Sequence, residues 1–477
     1  MKSIKIIVLL LVMAATSACG EDYLSPELES LINANTFYTT EEQLNGAVIN
    51  MYDGIQGINS TVSNDYHGMQ QEFYLTEMRS DNTRTKSSEG EAAQFENYSI
   101  QPTNGIVQDY YNSFYNVIFR ANIVLLNLNV ASDENKAKIE AEAKFVRAYA
   151  YFNLVRLFGD IPLVDQVLDP NDSSYLDVAF TRVNTADIYA FIEEDLENAV
   201  AGLDNTYKTR ASKAAAQALL AKVYLTQGTN YLEAQILCEE IMSSGFMLQP
   251  NFKDVFFNEL NSEIIFAIGY FPDSNDSQNF SAEWLNAVGR TSGVNYTTVD
   301  SRNALDELGG DRTLYSYRVD TGQPTQFQVV KYLPDGDDDL GIDPTSSDPT
   351  SAGNDWIVIR YADVLLMHVE AIMAGGSSTS VQGALDSFEE VRLRAGLSGD
   401  DDDNITKQEL LDERRVELAY ENQRLFDLIR FGEAQNVLSV FSAANGYNFT
   451  ATDLLLPIPQ REINLSNGRL SQNPGYN

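Results

Sequence analysis

Cys19 is the residue of this chain whose type and position most clearly indicate a chemical modification. It follows a leader with two lysines, an apolar run over 6–13 and then small residues. That order is typical of a secretory signal peptide, and the apolar run is too short to span a bilayer. We therefore predict a lipoprotein signal peptide over 1–18 and a lipid, palmitate among its chains, on Cys19. Thr16 stands where a bacterial lipobox usually has Leu, so ordinary secretion with cleavage after Ala18 is the alternative.

Cys238 is the second of the two cysteines. Lipid on Cys19 would exclude a disulfide between them, so Cys238 is expected to be unpaired. It lies in a predicted helix over 232–243, where a lone cysteine usually behaves as a small buried apolar residue. No other stretch approaches 18 apolar residues, so the mature protein is expected to hold to the membrane through its lipid anchor without crossing it.

No arrangement typical of a catalytic site is present in the sequence. The two histidines are His67 and His368, and the second lies in a predicted amphipathic helix, where a structural role is expected. No nucleophile elbow, zinc-binding histidine pair or phosphate loop occurs. Carboxylates are abundant, but their count alone does not single out a glycosidase pair. We therefore expect a protein that is not an enzyme.

One acidic segment has part of the spacing of a calcium-binding loop. Leu340 replaces the glycine that such a loop requires, and Ser346 replaces the bidentate glutamate. We expect no cofactor, and calcium at this segment is the alternative. The four aspartates are Asp335, Asp337, Asp339 and Asp343.

The net charge is strongly negative. It is −37 for the whole chain, and removal of the two leader lysines makes it −39. Such a charge excludes nucleic acid as a partner and disfavours electrostatic attachment to anionic lipid. An acidic surface rich in aromatic residues suits neutral, hydroxyl-rich ligands, although solubility alone also accounts for the charge.

Helical periodicity dominates the chain. Over Lys136–Phe158, apolar side chains at Phe145, Ala148, Phe152 and Val155 recur at the spacing of one helix face. Further helices are predicted over 186–203, between Ser212 and Gly228, over 232–243, over 359–374 and over 381–394. The two pairs formed by the last four resemble tetratricopeptide hairpins, which must stack on neighbours to bury their apolar faces.

The region 251–352 lacks this periodicity and is rich in Asn, Asp, Ser, Gly, Tyr and Phe. It contains one strand-like run over 263–269. We therefore predict a mainly α fold, in which a tetratricopeptide-like helical-repeat scaffold carries a long irregular insertion with the binding surface.

Six blocks of sequence resemble the SusD/RagB family, in family order. Departures are small, since Asn422 and Leu425 stand where Gly and Trp are usual. The blocks are KFVRA (144–148) with YFNLVRLFGDIPLV (151–164), AAAQALLAKVYL (214–225), EIIFA (263–267), RYADVLLM (360–367), ERRVEL (413–418), and LPIP (456–459) with QNPGY (472–476).

The resemblance implies a lipoprotein on the extracellular side of the outer membrane of a Bacteroidota-type cell. In that family the lipoprotein caps a TonB-dependent SusC-like transporter and captures glycans, or in some members peptides, for import. Glu21 and Asp22 resemble the acidic surface-export signal of such lipoproteins. Charged residues inside the family blocks are expected to form ion pairs and caps between helices. These are Arg147, Arg156, Asp160, Arg414 and Glu417.

Ligand-binding residues are expected in the segments outside the family blocks. Sugar rings stack on aromatic faces, while their hydroxyls bond to polar side chains alongside. Trp284 lies in a polar segment and is predicted to be the main stacking residue, whereas Trp356 directly precedes a scaffold helix and is expected to pack. Tyr74 and Asn82 are candidates on a second wall over 72–98. The predicted ligand-binding residues are Trp284, Tyr296, Arg290, Asn279, Tyr74 and Asn82.

The expected organisation is a signal peptide over 1–18, a SusD-like N-terminal region over 19–225 and a RagB/SusD C-terminal region over 226–477, the last two packed as one unit. The expected function is capture of an oligosaccharide or polysaccharide for the transporter. A peptide-binding member of the same family and a surface hydrolase are the alternatives.

Overall fold

A computed structural model describes residues 37–60, 65–86, 88–285, 295–319, 324–325, 327–398 and 403–476. Helices dominate these residues, and the strands are short. In chain order, α1 to α18 are Glu41–Gln56, Glu72–Leu75, Ala93–Glu96, Gly105–Leu126, Lys136–Phe158, Tyr175–Phe180, Thr185–Gly202, Lys213–Gln227, Tyr231–Met242, Phe252–Phe257, Phe280–Glu283, Val299–Leu308, Tyr361–Met373, Gln382–Arg394, Lys407–Glu417, Arg424–Arg430, Ala434–Asn445 and Gln460–Leu465.

The strands β1 to β10 form two-stranded antiparallel pairs. The pairs are β1 with β5, β2 with β3, β4 with β8, β6 with β7, and β9 with β10. In chain order the strands are Thr83–Arg84, Ile161–Pro162, Arg182–Val183, Ile264–Ile268, Tyr296–Thr297, Tyr317–Val319, Phe327–Val329, Trp356–Arg360, Ser378–Thr379 and Ile405–Thr406.

The long helices form one continuous stack. Helix α1 packs on α4, α4 on α5, α5 on α7, α7 on α8, α8 on α9, α9 on α13 and α13 on α14. Each helix covers the apolar face of its neighbour, as in helical repeats. The prediction of a mainly α, tetratricopeptide-like scaffold is therefore confirmed.

The helix boundaries follow signals in the sequence. The Ser212 hydroxyl caps α8 by accepting a hydrogen bond from the Ala215 N–H at 3.2 Å. Gly228 ends the same helix in the left-handed region, with φ of 67°. The predicted helix over 359–374 is wrong at its start, because Ile359 and Arg360 belong to β8 and the helix begins at Tyr361.

Helix α5 is buried on nearly all sides from Ala141 onward, although the sequence pattern indicated one apolar face. It lies between α4 and α7, so both sides need apolar or small residues. Arg147 on α5 donates two hydrogen bonds to Asp195 on α7, at 2.8 and 2.9 Å. Asp160 accepts a bond from the Thr185 N–H at the start of α7, at 2.8 Å. Both residues thus have the predicted structural role.

Arg156 departs from the expected ion pair. Its guanidinium lies over the rings of Phe152 and Phe426, with its Cζ 4.0 and 3.8 Å from the two ring centroids. It also donates to the Phe152 carbonyl at 3.2 Å. Arg156 therefore stabilises the packing of α5 against α16 by lying between the rings of Phe152 and Phe426 and by bonding to the backbone of its own helix.

A buried network of charges joins the insertion to the C-terminal helices. Arg360 donates to Glu263 at 2.8 Å and to Glu421 at 2.7 Å, and Arg312 donates to Glu417 at 2.8 Å. Burial alone raises the pKa of Glu417, but three arginines together hold it well below its usual range. Removal of one partner from such a pair leaves an uncompensated buried charge.

Arg414 extends this arrangement to the neighbouring helices. It donates to Asp427 at 2.9 Å and lies 2.9 Å from Asp363. The predicted ion pairs of Arg414 and Glu417 between helices are therefore confirmed.

Other expectations concern single residues in the helical part. Cys238 is unpaired and buried, as predicted. His368 is buried and its Nδ1 lies 2.9 Å from the Ser387 hydroxyl, which fits a structural role. Trp356 is buried in β8, which confirms its packing role. Within the described residues, no helix is long and apolar enough to cross a membrane.

Candidate functional site

Two segments that the sequence marked as binding walls meet in one small sheet. Strand β1 pairs with β5, so that Thr83 lies opposite Thr297 and Arg84 opposite Tyr296. The Thr298 N–H continues the pairing by donating to the Asn82 carbonyl at 3.0 Å. The N-terminal wall over 72–98 and residues 295–297 of the insertion are therefore neighbours in space.

A row of aromatic rings and guanidiniums extends from this sheet, and we call it the platform. The Arg84 Cζ lies 5.4 Å from the Tyr296 ring centroid, and the Arg302 Cζ lies 3.6 Å from that of Phe327. The rings of Tyr317 and Phe327 follow, with centroids 6.1 Å apart. The platform comprises Tyr447, Arg84, Tyr296, Arg302, Phe327 and Tyr317.

Contacts with the Glu96 carboxylate hold the end of the platform formed by Tyr447 and Arg84. Glu96 accepts hydrogen bonds from the Tyr447 hydroxyl and from the Thr85 N–H, the latter at 2.6 Å. Its carboxylate also lies 4.0 Å from the Arg84 Nε. Burial raises the pKa of Glu96, and these donors act against that rise. Tyr447 and Arg84 are thus positioned by one buried carboxyl group.

Hydrogen bonds hold the end of the platform formed by Arg302 and Tyr317. Arg302 donates to the Thr297 carbonyl on β5 at 3.0 Å, and the Tyr317 hydroxyl donates to Asp306 at 2.6 Å. Burial, followed by the Asp306 carboxylate, raises the pKa of Tyr317 to about 12. The shift favours the neutral form, in which the hydroxyl donates to Asp306.

The platform offers aromatic faces for stacking and N–H donors for hydroxyls, the two features of a sugar-binding surface. The Arg84 side chain is 41% exposed, and Arg302, Tyr317, Phe327 and Tyr447 are half-buried. Half-buried rings can stack on apolar ring faces, and guanidinium N–H groups can bond to hydroxyls. Glu96 and Asp306 balance the positive charges locally, so the surface suits a neutral ligand better than an anionic one.

Trp284 does not lie on this surface. Its side chain is 1% exposed, and its ring centroid lies 5.4 Å from that of Phe73, 5.9 Å from Tyr332 and 6.0 Å from Tyr420. The expectation of an accessible stacking face is therefore wrong, because distant segments cover the ring. Burial favours a packing role for Trp284 over the predicted contact with a ligand.

Two further candidates are buried. Asn82 has no exposed surface; its amide donates to Glu77 at 3.4 Å and accepts from Arg415 at 3.2 Å. Tyr296 is 6% exposed, and its hydroxyl donates to the Thr85 carbonyl at 3.1 Å. Asn82 thus has a supporting position beneath the platform, and Tyr296 is a largely covered member of it, in place of the exposed positions expected.

The remaining candidates lie near these residues or outside the described part. Tyr74 is half-buried and packs against Phe73, with ring centroids 4.1 Å apart. Asn279 is half-buried at the start of α11. Arg290 lies outside the described residues, as do Cys19 and the leader. Direct ligand contact by these residues stays a prediction.

The sequence interpretation missed most of the platform. Arg84 lies within the predicted wall over 72–98, two positions after Asn82, and nothing in so short a strand singled it out. Tyr317 and Phe327 lie on two short strands whose aromatic residues were visible as a hairpin pattern. Tyr447 follows Gly446 beyond the end of α17, and nothing local to it indicates its position beside Glu96.

The acidic segment considered for calcium is held by other contacts. Asp337 accepts hydrogen bonds from the N–H groups of Asp339 and Leu340, at 3.0 and 3.1 Å, and forms an ion pair with Arg318. In the part of the chain that the structure describes, no group of three or more His, Cys, Asp or Glu is placed to hold a metal ion.

Comparison with known proteins gives two family matches and several relatives. A model of the SusD family matches residues 293–476, and a family described as starch-binding and associating with the outer membrane matches residues 22–225. SusD-like protein P2 of Formosa agariphila is 29% identical over 444 residues, which cover 82% of this chain and 85% of that protein. A SusD-like protein of Bacteroides ovatus is 28% identical over 465 residues, covering 88% of this chain and 82% of its own length.

A solved structure described as a laminarin-binding SusD-like protein superposes with a TM-score of 0.72. The two chains are 25% identical, and the match covers 92% of this chain and 100% of the other. The relatives thus agree with the observed helical architecture over most of its length.

Proposed function

Because this chain belongs to the SusD family, we propose that it is an outer-membrane lipoprotein that binds a neutral glycan and delivers it to a TonB-dependent SusC-like transporter for import. In this proposal the protein is a binding component and performs no chemistry on the glycan. The ligand is captured on the extracellular side of the membrane, and the lipid on Cys19 holds the protein there.

The platform is the observation that carries the binding proposal. It places partly exposed aromatic rings beside guanidinium groups, and contacts with neighbouring side chains or backbone hold these groups in place. Because the side chains are already ordered, a glycan binds without a large cost in side-chain entropy. A SusD-like relative described as laminarin-binding supports a glucan as the first ligand to test.

We propose no catalysis because the carboxylates beside the platform already accept hydrogen bonds from protein groups. Hydrolysis of a glycoside usually needs two carboxyl groups that face the scissile bond. Glu96 and Asp306, beside the platform, each accept a tyrosine hydroxyl, and Glu96 also accepts a backbone N–H. Both groups thus serve to position platform side chains.

The membrane anchor and the transporter partner rest on the leader sequence and on family membership. Cys19 directly follows a signal-like leader, and the family matched by residues 22–225 is described as associating with the outer membrane. We further propose that regions 19–225 and 226–477 fold as one unit. Helix α9 of the second region packs between α8 of the first and α13 of the second, which supports that arrangement.

Native affinity electrophoresis together with a reducing-end assay tests the function. The mature protein is run through gels that contain laminarin, soluble starch or xylan, and the same mixtures are assayed for new reducing ends. We expect retardation by at least one polysaccharide and no new ends. New reducing ends would indicate the hydrolase alternative. Mobility unchanged in every gel, with binding to peptides instead, would contradict glycan capture.

A further inference from the structure

A cavity of about 340 Å³ lies apart from the platform, and none of its lining residues belongs to the platform. Helix α4, the segment between β2 and α6, helix α6 and helix α18 surround it. Its volume lies within the range of about 300–1,000 Å³ that is typical of small-molecule sites.

Aromatic rings form much of the cavity wall. Tyr111 and Tyr115 have ring centroids 4.8 Å apart, and Tyr111 also contacts Phe158 edge-on at 5.0 Å. The Tyr115 hydroxyl donates to the Pro162 carbonyl at 2.8 Å, which fixes its ring. Phe119 on the same helix is 49% exposed, so part of its ring is available to a ligand. Such rings can stack on the apolar faces of sugars.

Polar side chains complete the wall. Asn112, Gln166 and Glu462 line the cavity; Asn112 and Glu462 are half-buried and Gln166 is exposed, and within the described residues no protein hydrogen bond engages their side chains. Burial raises the pKa of Glu462, an effect that Arg461 partly offsets. A ligand with hydroxyl groups can donate to all three and accept from the two amides.

The aromatic rings and polar groups of the cavity favour a neutral sugar over an apolar side chain or an anionic ligand. An apolar side chain of a partner would cover the three polar groups without bonding to them, which costs free energy. An anionic ligand would lie beside the Glu462 carboxyl with no cationic side chain among the lining residues. A neutral ring with many hydroxyls satisfies the polar groups and stacks on the rings.

We propose that this cavity is a second glycan subsite, which takes the end of a neutral oligosaccharide. The inference rests on the proposed function, because it names a further site for the same class of ligand. A polysaccharide long enough to reach both the platform and the cavity would gain affinity through effective concentration, without any new contact at either site.

Isothermal titration calorimetry with laminarihexaose and maltohexaose tests the proposal on the mature protein. Phe119→Ala and Asn112→Ala change the cavity, and Phe327→Ala changes the platform. Leu126→Ala is the matched control, since Leu126 is 62% exposed on the same helix as Phe119 and does not line the cavity. Far-UV circular dichroism checks that each variant is folded.

We expect two classes of site in the wild-type protein. Phe119→Ala should weaken one class about 5- to 150-fold, the range for loss of one stacking contact. Asn112→Ala should weaken the same class about 2- to 13-fold, the range for loss of one hydrogen bond, and both variants should leave the other class unchanged. Phe327→Ala should have the reverse effect, and Leu126→Ala should change neither.

A single class of site, weakened by Phe327→Ala and unaffected by both cavity variants, would overturn the second subsite and leave the proposed function intact. Two classes that neither Phe119→Ala nor Asn112→Ala changes would also overturn it. If neither hexasaccharide binds and no polysaccharide retards the protein, the proposed function fails together with the subsite.

Discussion

Replacement of Trp284 by alanine should destabilise the fold and leave glycan affinity nearly unchanged. The side chain is 1% exposed and packs among Phe73, Tyr332 and Tyr420. A buried tryptophan covers about 150–250 Å², which at roughly 25 cal/mol per Å² corresponds to about 4–6 kcal/mol as an upper bound. Because buried Trp-to-Ala changes typically cost about 3–5 kcal/mol, we expect a loss in that range.

A second variant, Trp284→Phe, should lose less folding stability than Trp284→Ala, because the buried indole N–H has no hydrogen-bond partner within the described residues. Trp284→Phe therefore removes a polar group that makes no bond and keeps most of the ring contacts, so its cost should be smaller than that of Trp284→Ala. The pair of variants separates packing from polarity at this site.

Urea unfolding followed by far-UV circular dichroism measures this effect without relying on tryptophan fluorescence, which the change itself removes. Phe271→Ala is the matched control, because Phe271 belongs to the same insertion and is 68% exposed. It should leave the unfolding midpoint within error of wild type. If Trp284→Ala keeps the wild-type midpoint and weakens glycan binding, Trp284 contacts the ligand and the core assignment is refuted.

Three further predictions concern anchoring, partnership and pH. Cys19→Ala should move the protein from the outer-membrane fraction to a soluble or mislocalised one, and unchanged fractionation would exclude Cys19 as the anchor. Purification from outer membrane in mild detergent should recover a transporter barrel with this chain, and recovery of this chain alone would contradict the import role. Burial raises the pKa of Glu77 from an ordinary 4.5 to about 8. Between these two pH values the folded state keeps a proton that the unfolded state releases, so the free energy of unfolding should fall as the pH rises from about 4.5 to 8. Glu77→Gln should make the urea midpoint less dependent on pH in that window, and an unchanged slope would show that another group is responsible.

The helical scaffold was predictable because its signals are local. The spacing over Lys136–Phe158, the cap at Ser212 and the stop at Gly228 each act within one or two turns of a helix. The strand-like run over 263–269 likewise appears as β4, Ile264–Ile268. For these elements the residues that specify the structure are the residues that form it.

The platform was not predictable because its contacts join distant segments. Tyr296 bonds to the Thr85 carbonyl, 211 positions earlier in the chain, through strands of only two residues each. Strands that short carry no clear alternation of side chains, so the sequence does not specify their register. The same reason explains Trp284: its polar sequence neighbours suggested exposure, while Phe73 and Tyr420 from other segments bury it.

The most direct measurement of the central claim compares glycan affinity in two variants that remove the same kind of contact. Phe327→Ala removes the platform ring beneath Arg302, and Tyr207→Ala removes a partly exposed ring beneath Arg210, outside the platform. The glycan is the polysaccharide that retards the wild-type protein, and affinity is taken from its oligosaccharide by calorimetry.

If the platform binds the glycan, Phe327→Ala weakens affinity about 5- to 150-fold, as expected for the loss of one stacking contact, and Tyr207→Ala leaves it at the wild-type value. Equal affinities in Phe327→Ala, Tyr207→Ala and the wild-type protein would contradict binding at the platform.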